Sequence, residues 1–322
     1  MSFSADVKSE LSHIEPDKKC CMLAEIAGFF RVSSGIRLLG GGKFAILAST
    51  ENPAVARHFK KLIKDYFGVT ASLEVGESQS PGKHKGKWHR YTLRIDDGDK
   101  SERILRETGM LMVREGDDYL SDGIYFPIVK TKCCKRAFLR GIFLGCGTVS
   151  DPIKSYHMEF VVATERLALD LKKLIGSFVD LSANVSERKE NYVVYIKRAG
   201  YISDMLGIMG ANTAMLNFVN IKIDKGIRGD AVRITNCDTA NVDRTLKASE
   251  AQVDDIKVIE AAGHLSDLEP SLREVALMRL ERPDANLTEI GEALSSPIKK
   301  SGVNKRFAKI KEIADSLRSG SK

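Results

Sequence analysis

The densest chemistry in this 322-residue chain lies in a short run near its end. Between Lys299 and Lys311 stand six cations and no acid: Lys299, Lys300, Lys305, Arg306, Lys309 and Lys311. Ser301 and Asn304 are interleaved with them. Arginine can pair with guanine, and asparagine with adenine, through two parallel hydrogen bonds. Lysine neutralises phosphates whatever the base sequence. Lys300, Ser301, Asn304, Lys305, Arg306 and Lys309 are therefore the candidate DNA contacts. A second basic segment, Pro81 to Arg90, holds Lys83, Lys85, Lys87 and Arg90 with two histidines and the only tryptophan. Secondary nucleic-acid contact and a solvated hairpin loop fit that segment equally.

Cysteine is the other reactive type. Cys20 and Cys21 are neighbours, as are Cys133 and Cys134, while Cys146 and Cys237 stand alone. Neighbouring cysteines lack the two-residue gap of a zinc knuckle, and no histidine stands at finger spacing. Buried small residues are the expectation, with no metal and no cofactor.

The cationic run needs helices to present it. Asn286-Leu287-Thr288-Glu289 has the form of a capping box and starts a short helix with Leu287, Ile290 and Leu294 on one stripe. Ser295-Ser296-Pro297 breaks the chain. A second helix is expected to start near Ser301, with Val303, Phe307, Ile310, Ala314 and Leu317 buried. The polar residues then share the opposite face. This is a helix-turn-helix over about residues 286–317, within an all-α domain over 226–322. Further helices are expected at about Ala240–Gly263 and Ser271–Leu280, the first burying Val242, Leu246, Val253, Ile256 and Ile259. The interdomain connection is expected near Asn217–Gly229. An amphipathic helical hairpin with a solvated basic face fits the same pattern.

Before residue 220 the chain repeats itself. A shift of 113 residues lays Lys19, Cys20, Cys21, Ala24, Gly28 and Phe30 on Lys132, Cys133, Cys134, Ala137, Gly141 and Phe143. Thr50-Glu51 and Lys60-Lys61-Leu62-Ile63 likewise correspond to Thr164-Glu165 and Lys172-Lys173-Leu174-Ile175. Each copy reads as an apolar helix, a strand pair, a charged amphipathic helix and further alternating strands. The expected fold class is an α/β (α+β) domain with pseudo-two-fold symmetry over 1–220, its repeats at about 19–96 and 132–200.

The first helix of each copy carries an informative pattern. Ile26-Ala27-Gly28-Phe29-Phe30-Arg31-Val32-Ser33-Ser34 and Leu139-Arg140-Gly141-Ile142-Phe143-Leu144-Gly145-Cys146-Gly147 both resemble the LAGLIDADG helix of homing endonucleases. Small residues there let two helices approach at a central seam, and each helix ends on an acid that binds a shared metal ion. Here the acid positions are Ser33 and Cys146. Neither supplies the carboxylate oxygen that Mg²⁺ requires for phosphodiester cleavage. No catalytic residue, and no enzyme activity, is therefore expected. Asp151, before Pro152, reads as a turn residue.

Lys300-Ser301-Gly302-Val303-Asn304-Lys305-Arg306 closely resembles the recognition-helix signature of the WhiA family of DNA-binding regulators. The order of parts and Ser155-Tyr156-His157-Met158-Glu159 are similar to that family too. The resemblance implies a bacterial transcriptional regulator of cell division, chromosome segregation or sporulation. Its helix-turn-helix would bind promoter regions of double-stranded DNA. Its endonuclease-like domain would make protein contacts, with RNA polymerase or a sigma factor as possible partners.

Composition agrees and excludes other classes. Net charge is +7, all of it before Gly226, since the later part has equal numbers of acids and bases. No stretch approaches the roughly 18–20 apolar residues of a membrane span. Met1 to Glu10 has no apolar core and does not read as a signal peptide, so a cytoplasmic, nucleoid-associated protein with free thiols is expected. Two other readings stay open: a metal-dependent endonuclease with displaced acids, and an interaction scaffold with nonspecific DNA contact.

Overall fold

A computed structural model of the chain describes residues 2–79 and 87–320. It comprises two compact units, Met1–Lys225 and Gly226–Lys322.

The first unit opens with α1 (Phe3–Leu11), a helix the sequence reading did not anticipate. The first repeat then runs α2 (Lys19–Ser33), β1 (Ser34–Gly40), β2 (Lys43–Thr50), α3 (Pro53–Phe67), β3 (Ser72–Gln79) and β4 (Lys87–Ile95). The second runs α5 (Lys132–Cys146), β7 (Gly147–Val149), β8 (Met158–Val162), α6 (Glu165–Ile175), β9 (Asn184–Arg188) and β10 (Asn191–Ile196). Between them lie α4 (Gly98–Glu107), a hairpin of β5 (Leu111–Arg114) and β6 (Asp117–Leu120), and a 3-10 turn (Phe126–Val129). The two four-stranded sheets have the same order, β1-β2-β4-β3 and β7-β8-β10-β9, with antiparallel neighbours. Identical strand order is the topological form of the duplication. Local signals set the element ends. Asn52 accepts hydrogen bonds from the Ala54 and Val55 amides and Pro53 occupies the first turn of α3, while Gly68 ends it in the left-handed region at φ 70°.

The seam between α2 and α5 holds the unit together. A Cβ on Gly28 would collide with the carbonyl oxygen of Phe138 and lie 3.1 Å from the Ile142 nitrogen. One on Gly141 would collide with the carbonyl oxygen of Glu25 and lie 2.9 Å from the Phe29 nitrogen. The 113-residue shift relates the two clashes, so the helices touch backbone to backbone about a local two-fold axis. On either side the seam is apolar, with Phe29 stacked on Phe59 of α3 at 3.8 Å between ring centroids.

One polar network crosses this core and breaks the symmetry. Glu25 is 0% exposed, yet its carboxylate meets His58 Nε2 at 2.8 Å and Arg140 Nη2 at 2.5 Å. Arg140 also donates to the Met209 carbonyl at the end of α7 (Ala199–Met209), at 3.1 Å. In the other repeat the corresponding residues are Phe138 and Ala27, so only one copy of the network exists.

The second unit comprises the later part of α8 (Asn212–Ala261), α9 (Pro270–Glu281), α10 (Leu287–Ala293) and α11 (Lys300–Gly320). The expected interdomain connection at 217–229 contains the boundary between the units, after Lys225, and its backbone is helical, within an α8 that is continuous through Gly226 and Gly229. Glycine inside a helix costs about 1 kcal/mol relative to alanine, but no proline interrupts the ladder. Ile256 and Ile259 enter the core with Leu272, Val275, Phe307 and Ile310. Val242 and Leu246, expected to be buried, are 57% and 42% exposed.

The seam yields a direct test. Gly141→Ala is expected to destabilise the chain by about 3 kcal/mol or more, because the obstructing atom is backbone and cannot rotate away. Gly200→Ala in α7, where nothing lies within 4 Å of the added methyl, should be neutral or mildly stabilising. Urea unfolding midpoints check both; equal midpoints would refute close backbone packing at Gly141.

Candidate nucleic-acid interface

The helix-turn-helix is built on α10 and α11. Asn286 accepts hydrogen bonds from the Thr288 and Glu289 amides, and the Glu289 carboxylate accepts one from the Asn286 amide at 2.8 Å. The capping box expected from the sequence is therefore present. The turn closes where the Ile298 amide donates to the Gly291 carbonyl at 3.0 Å. A Cβ on Gly291 would collide with the Ile298 carbonyl oxygen, which ties this glycine to the tight turn.

Arg279 of α9 fastens the approach to α10. It is 2% exposed and donates to the carbonyls of Ala285 at 2.5 Å and Pro283 at 3.1 Å, and to Gln252 Oε1 of α8 at 3.0 Å. Its guanidinium also lies over the Phe307 ring at 5.4 Å. Sequence periodicity gave Arg279 no role, because its acceptors are main-chain carbonyls that only converge in the fold.

α11 begins at Lys300, one residue earlier than expected, so Ser301 is inside the first turn and not its N-cap. Val303, Phe307, Ile310 and Ala314 are buried. The opposite face carries Ser301, Lys305 and Lys309 at successive four-residue steps, all exposed. Among the described residues, Lys300, Lys305 and Lys309 make no salt bridge. Exposed Asn304 and Lys300 flank this face and line a groove with Arg244, Thr245 and Thr288 of the same unit. Arg244 lies far away in sequence, and no local pattern linked it to α11. Arg306 lies elsewhere: it is half-buried, and its Nη1 donates to the Ser271 carbonyl of α9 at 3.4 Å. It can reach a base only by leaving Ser271.

The second basic segment is mostly out of view. Lys83 and Lys85 lie outside the described residues, Lys87 belongs to β4 by its backbone, and Arg90 is exposed on β4. Two other sheet cations are paired: Arg94 with Asp96 at 2.7 Å, and Arg188 with Glu159 at 3.7 Å.

The C-terminal ends of α2 and α5 present no carboxylate pair. Ser33 Oγ donates to the Phe29 carbonyl of its own helix at 2.5 Å. Burial pushes the Cys146 thiol up to about 12, against the opposing field of Lys8. Lys8 of α1 is held below the ordinary lysine range by burial, against the opposing fields of Cys146 and Glu51. An ammonium thus stands near the position where the endonuclease pattern calls for a metal ion. Asp151 closes a turn, accepting from the Ile153 amide at 2.9 Å. Among the described residues, the one group of three or more metal-ligating side chains is Cys20, Cys21 and Cys134. It is at the other end of these helices, about 20 Å from Ser33 at 1.5 Å per residue.

Two pseudo-symmetric repeats on a glycine seam, followed by a capped helix-turn-helix, define a protein of the LAGLIDADG-like class with a C-terminal HTH domain. The chain matches the models of the WhiA N-terminal LAGLIDADG-like domain over residues 19–111, the WhiA LAGLIDADG-like domain over 135–228 and the WhiA C-terminal HTH domain over 231–314. It is 41% identical over 98% of its length to the "Probable cell division protein WhiA" of Alkaliphilus metalliredigens, covering 98% of that protein. It is 43% identical over 99% of its length to the protein of the same name from Thermoanaerobacter pseudethanolicus, covering 98% of it. The chain belongs to the WhiA family. The crystal structure of full-length DUF199/WhiA from Thermatoga maritima has the same fold, with a TM-score of 0.59 at 23% identity, over 98% of this chain and 99% of that one. No helix among the described residues is long and apolar enough to cross a membrane.

The turn carries a pH-dependent contact. The Glu274 carboxylate accepts from the Ser295 amide and hydroxyl, each at 2.6 Å, and these bonds hold it below the usual glutamate range. With the folded pKa depressed, the stabilisation is present above the ordinary glutamate value and is lost as pH falls through the lowered one. The Ser295 amide resonance should therefore titrate with a midpoint below that of an ordinary glutamate. Glu274→Gln should remove the titration; its persistence would assign the shift to another group.

Proposed function

We propose that the protein is a sequence-specific regulator of transcription that binds double-stranded promoter DNA through α11. The carrying observation is the exposed, acid-free face of Ser301, Lys305 and Lys309, flanked by Lys300 and Asn304. A rigid capped turn that presents such a face is suited to the major groove, where the N-terminal half of a recognition helix meets base edges. Membership of the WhiA family, with its HTH domain, supports the same reading. The name of the relatives, probable cell division protein, supports a role in cell division, and the family resemblance extends it to chromosome segregation or sporulation. The protein then works on the nucleoid in the cytoplasm.

Asn304 is assigned to bases, and Lys300, Lys305 and Lys309 to phosphates; Arg306 joins Asn304 at a base once it releases Ser271. Asn304→Ala should weaken specific binding by about 1–3 kcal/mol. Lys305→Ala and Lys309→Ala should weaken all sequences alike, each lowering the slope of log K against log salt by about 0.9. Titrations of specific and scrambled duplexes at several salt concentrations separate these effects. Equal affinity for all duplexes would leave a nonspecific scaffold instead.

The LAGLIDADG-like unit is assigned a protein-contact role, with RNA polymerase or a sigma factor as the partner, and no cleavage. Support comes from the side-chain chemistry at the ends of α2 and α5: a serine bonded to its own helix, a protonated thiol and a nearby lysine. Supercoiled plasmid should stay closed in Mg²⁺ or Mn²⁺. Nicking that disappears in Glu51→Gln or Asp151→Asn would establish displaced catalytic acids.

A further inference from the structure

The N-terminal ends of α2 and α5 carry the same dipeptide, and the pseudo-two-fold axis brings the two copies together. The sulphurs of Cys20, Cys21 and Cys134 all lie within 4.8 Å of one another. Cys21 with Cys133, and Cys134 with Cys20, form related pairs across the axis that interact electrostatically. Cys133 sits beside them, its sulphur 3.2 Å from the Thr131 hydroxyl. Cys21 and Cys134 are buried, Cys133 is half-buried and Cys20 is exposed, which leaves a path from solvent.

We propose that this cluster is a binding site for one thiophilic divalent cation of the Zn²⁺ class, held by Cys20, Cys21, Cys133 and Cys134 across the repeat axis. The geometry suits it. Tetrahedral zinc thiolate has Zn–S bonds of about 2.3 Å, which puts its sulphurs about 3.8 Å apart. Three of the sulphurs already lie within 4.8 Å of one another, and Cys133 completes the set by turning from the Thr131 hydroxyl. Charge also suits it. Four thiolates on a divalent ion leave two negative charges, and Lys18, Lys19, Lys132 and Lys135 flank the cysteines in sequence. Lys18 acts electrostatically on Cys133. Both dipeptides are in the first turn of a helix, where the positive end of the helix dipole favours thiolates. The zinc-knuckle spacing rule does not apply, because the ligands come in two pairs from two repeats. A bound ion would cross-link the repeats at the end of the seam opposite Ser33 and Cys146.

The test uses the full-length protein, reduced and stripped of metal, and titrated with Zn²⁺ against a chromophoric chelator. One ion per chain is expected, with a rise in melting temperature. The Co²⁺ form should show thiolate-to-metal charge transfer and tetrahedral d–d bands. Cys20→Ser and Cys133→Ser, at the two less buried sulphurs, should each weaken Zn²⁺ binding by about a hundredfold or more without lowering the metal-free melting temperature. Cys237→Ser should bind like the parent. Substoichiometric binding, a Co²⁺ spectrum without thiolate charge transfer, or unchanged affinity in Cys20→Ser and Cys133→Ser would overturn the site. So would a reduced protein that ignores Zn²⁺ and forms a Cys20–Cys134 disulfide in air.

Discussion

Along α2 and α5 two helix backbones meet with no side chain between them at Gly28 and Gly141. This contact constrains the first unit more than any other. It brings the two repeats to a common axis and so places their sheets symmetrically. It puts Cys20-Cys21 against Cys133-Cys134 at one end and Ser33 and Cys146 at the other. Close-packed interiors respond to a single added methylene, and here the obstructing atoms belong to the main chain. The helices could accept a side chain at this point only by separating, which would disturb both ends of the seam together.

The same closeness makes the buried network of Glu25, His58 and Arg140 tolerable. A carboxylate without solvent is costly unless it is paired and hydrogen-bonded. Here it has a guanidinium and an imidazole, and the guanidinium in turn satisfies the Met209 carbonyl. Because the network has no copy in the other repeat, it distinguishes two halves that the glycine contacts treat alike. It also links α7, which precedes α8, to the seam. At the far ends, serine, thiol and lysine chemistry replaces the metal-binding carboxylates of the endonuclease pattern. A duplicated scaffold is retained there with its ligand set changed.

In the second unit a different interaction does the corresponding work. Arg279 collects carbonyls from the loop before α10 and packs its cation over Phe307 of α11. A buried guanidinium has several donors in a planar fork, so one side chain can satisfy several otherwise unpaired carbonyls. The arrangement ties the start of α10 to α11, on which some cations stand free and others are used internally. Lys305 and Lys309 stand free; Arg306 is drawn toward Ser271.

Repeats, caps and apolar stripes are local or periodic, and the sequence was sufficient for them. The 113-residue shift, the two glycine helices, the Asn286 capping box and the buried face of α11 could all be read in one dimension. So could the absence of acids at Ser33 and Cys146. Convergence of distant groups could not. Helix periodicity marks Arg306 as polar but does not say that Ser271 will accept from it. Adjacent cysteines in separate repeats look like small core residues until an axis places their sulphurs together. α8 begins at Asn212, well before the helix expected from about Ala240, because two glycines lower local helix propensity without ending the helix. The helix-turn-helix was thus determined by sequence down to its cap and stripe, while the fold decided which of its cations are free to meet DNA, since that depends on acceptors brought from other helices.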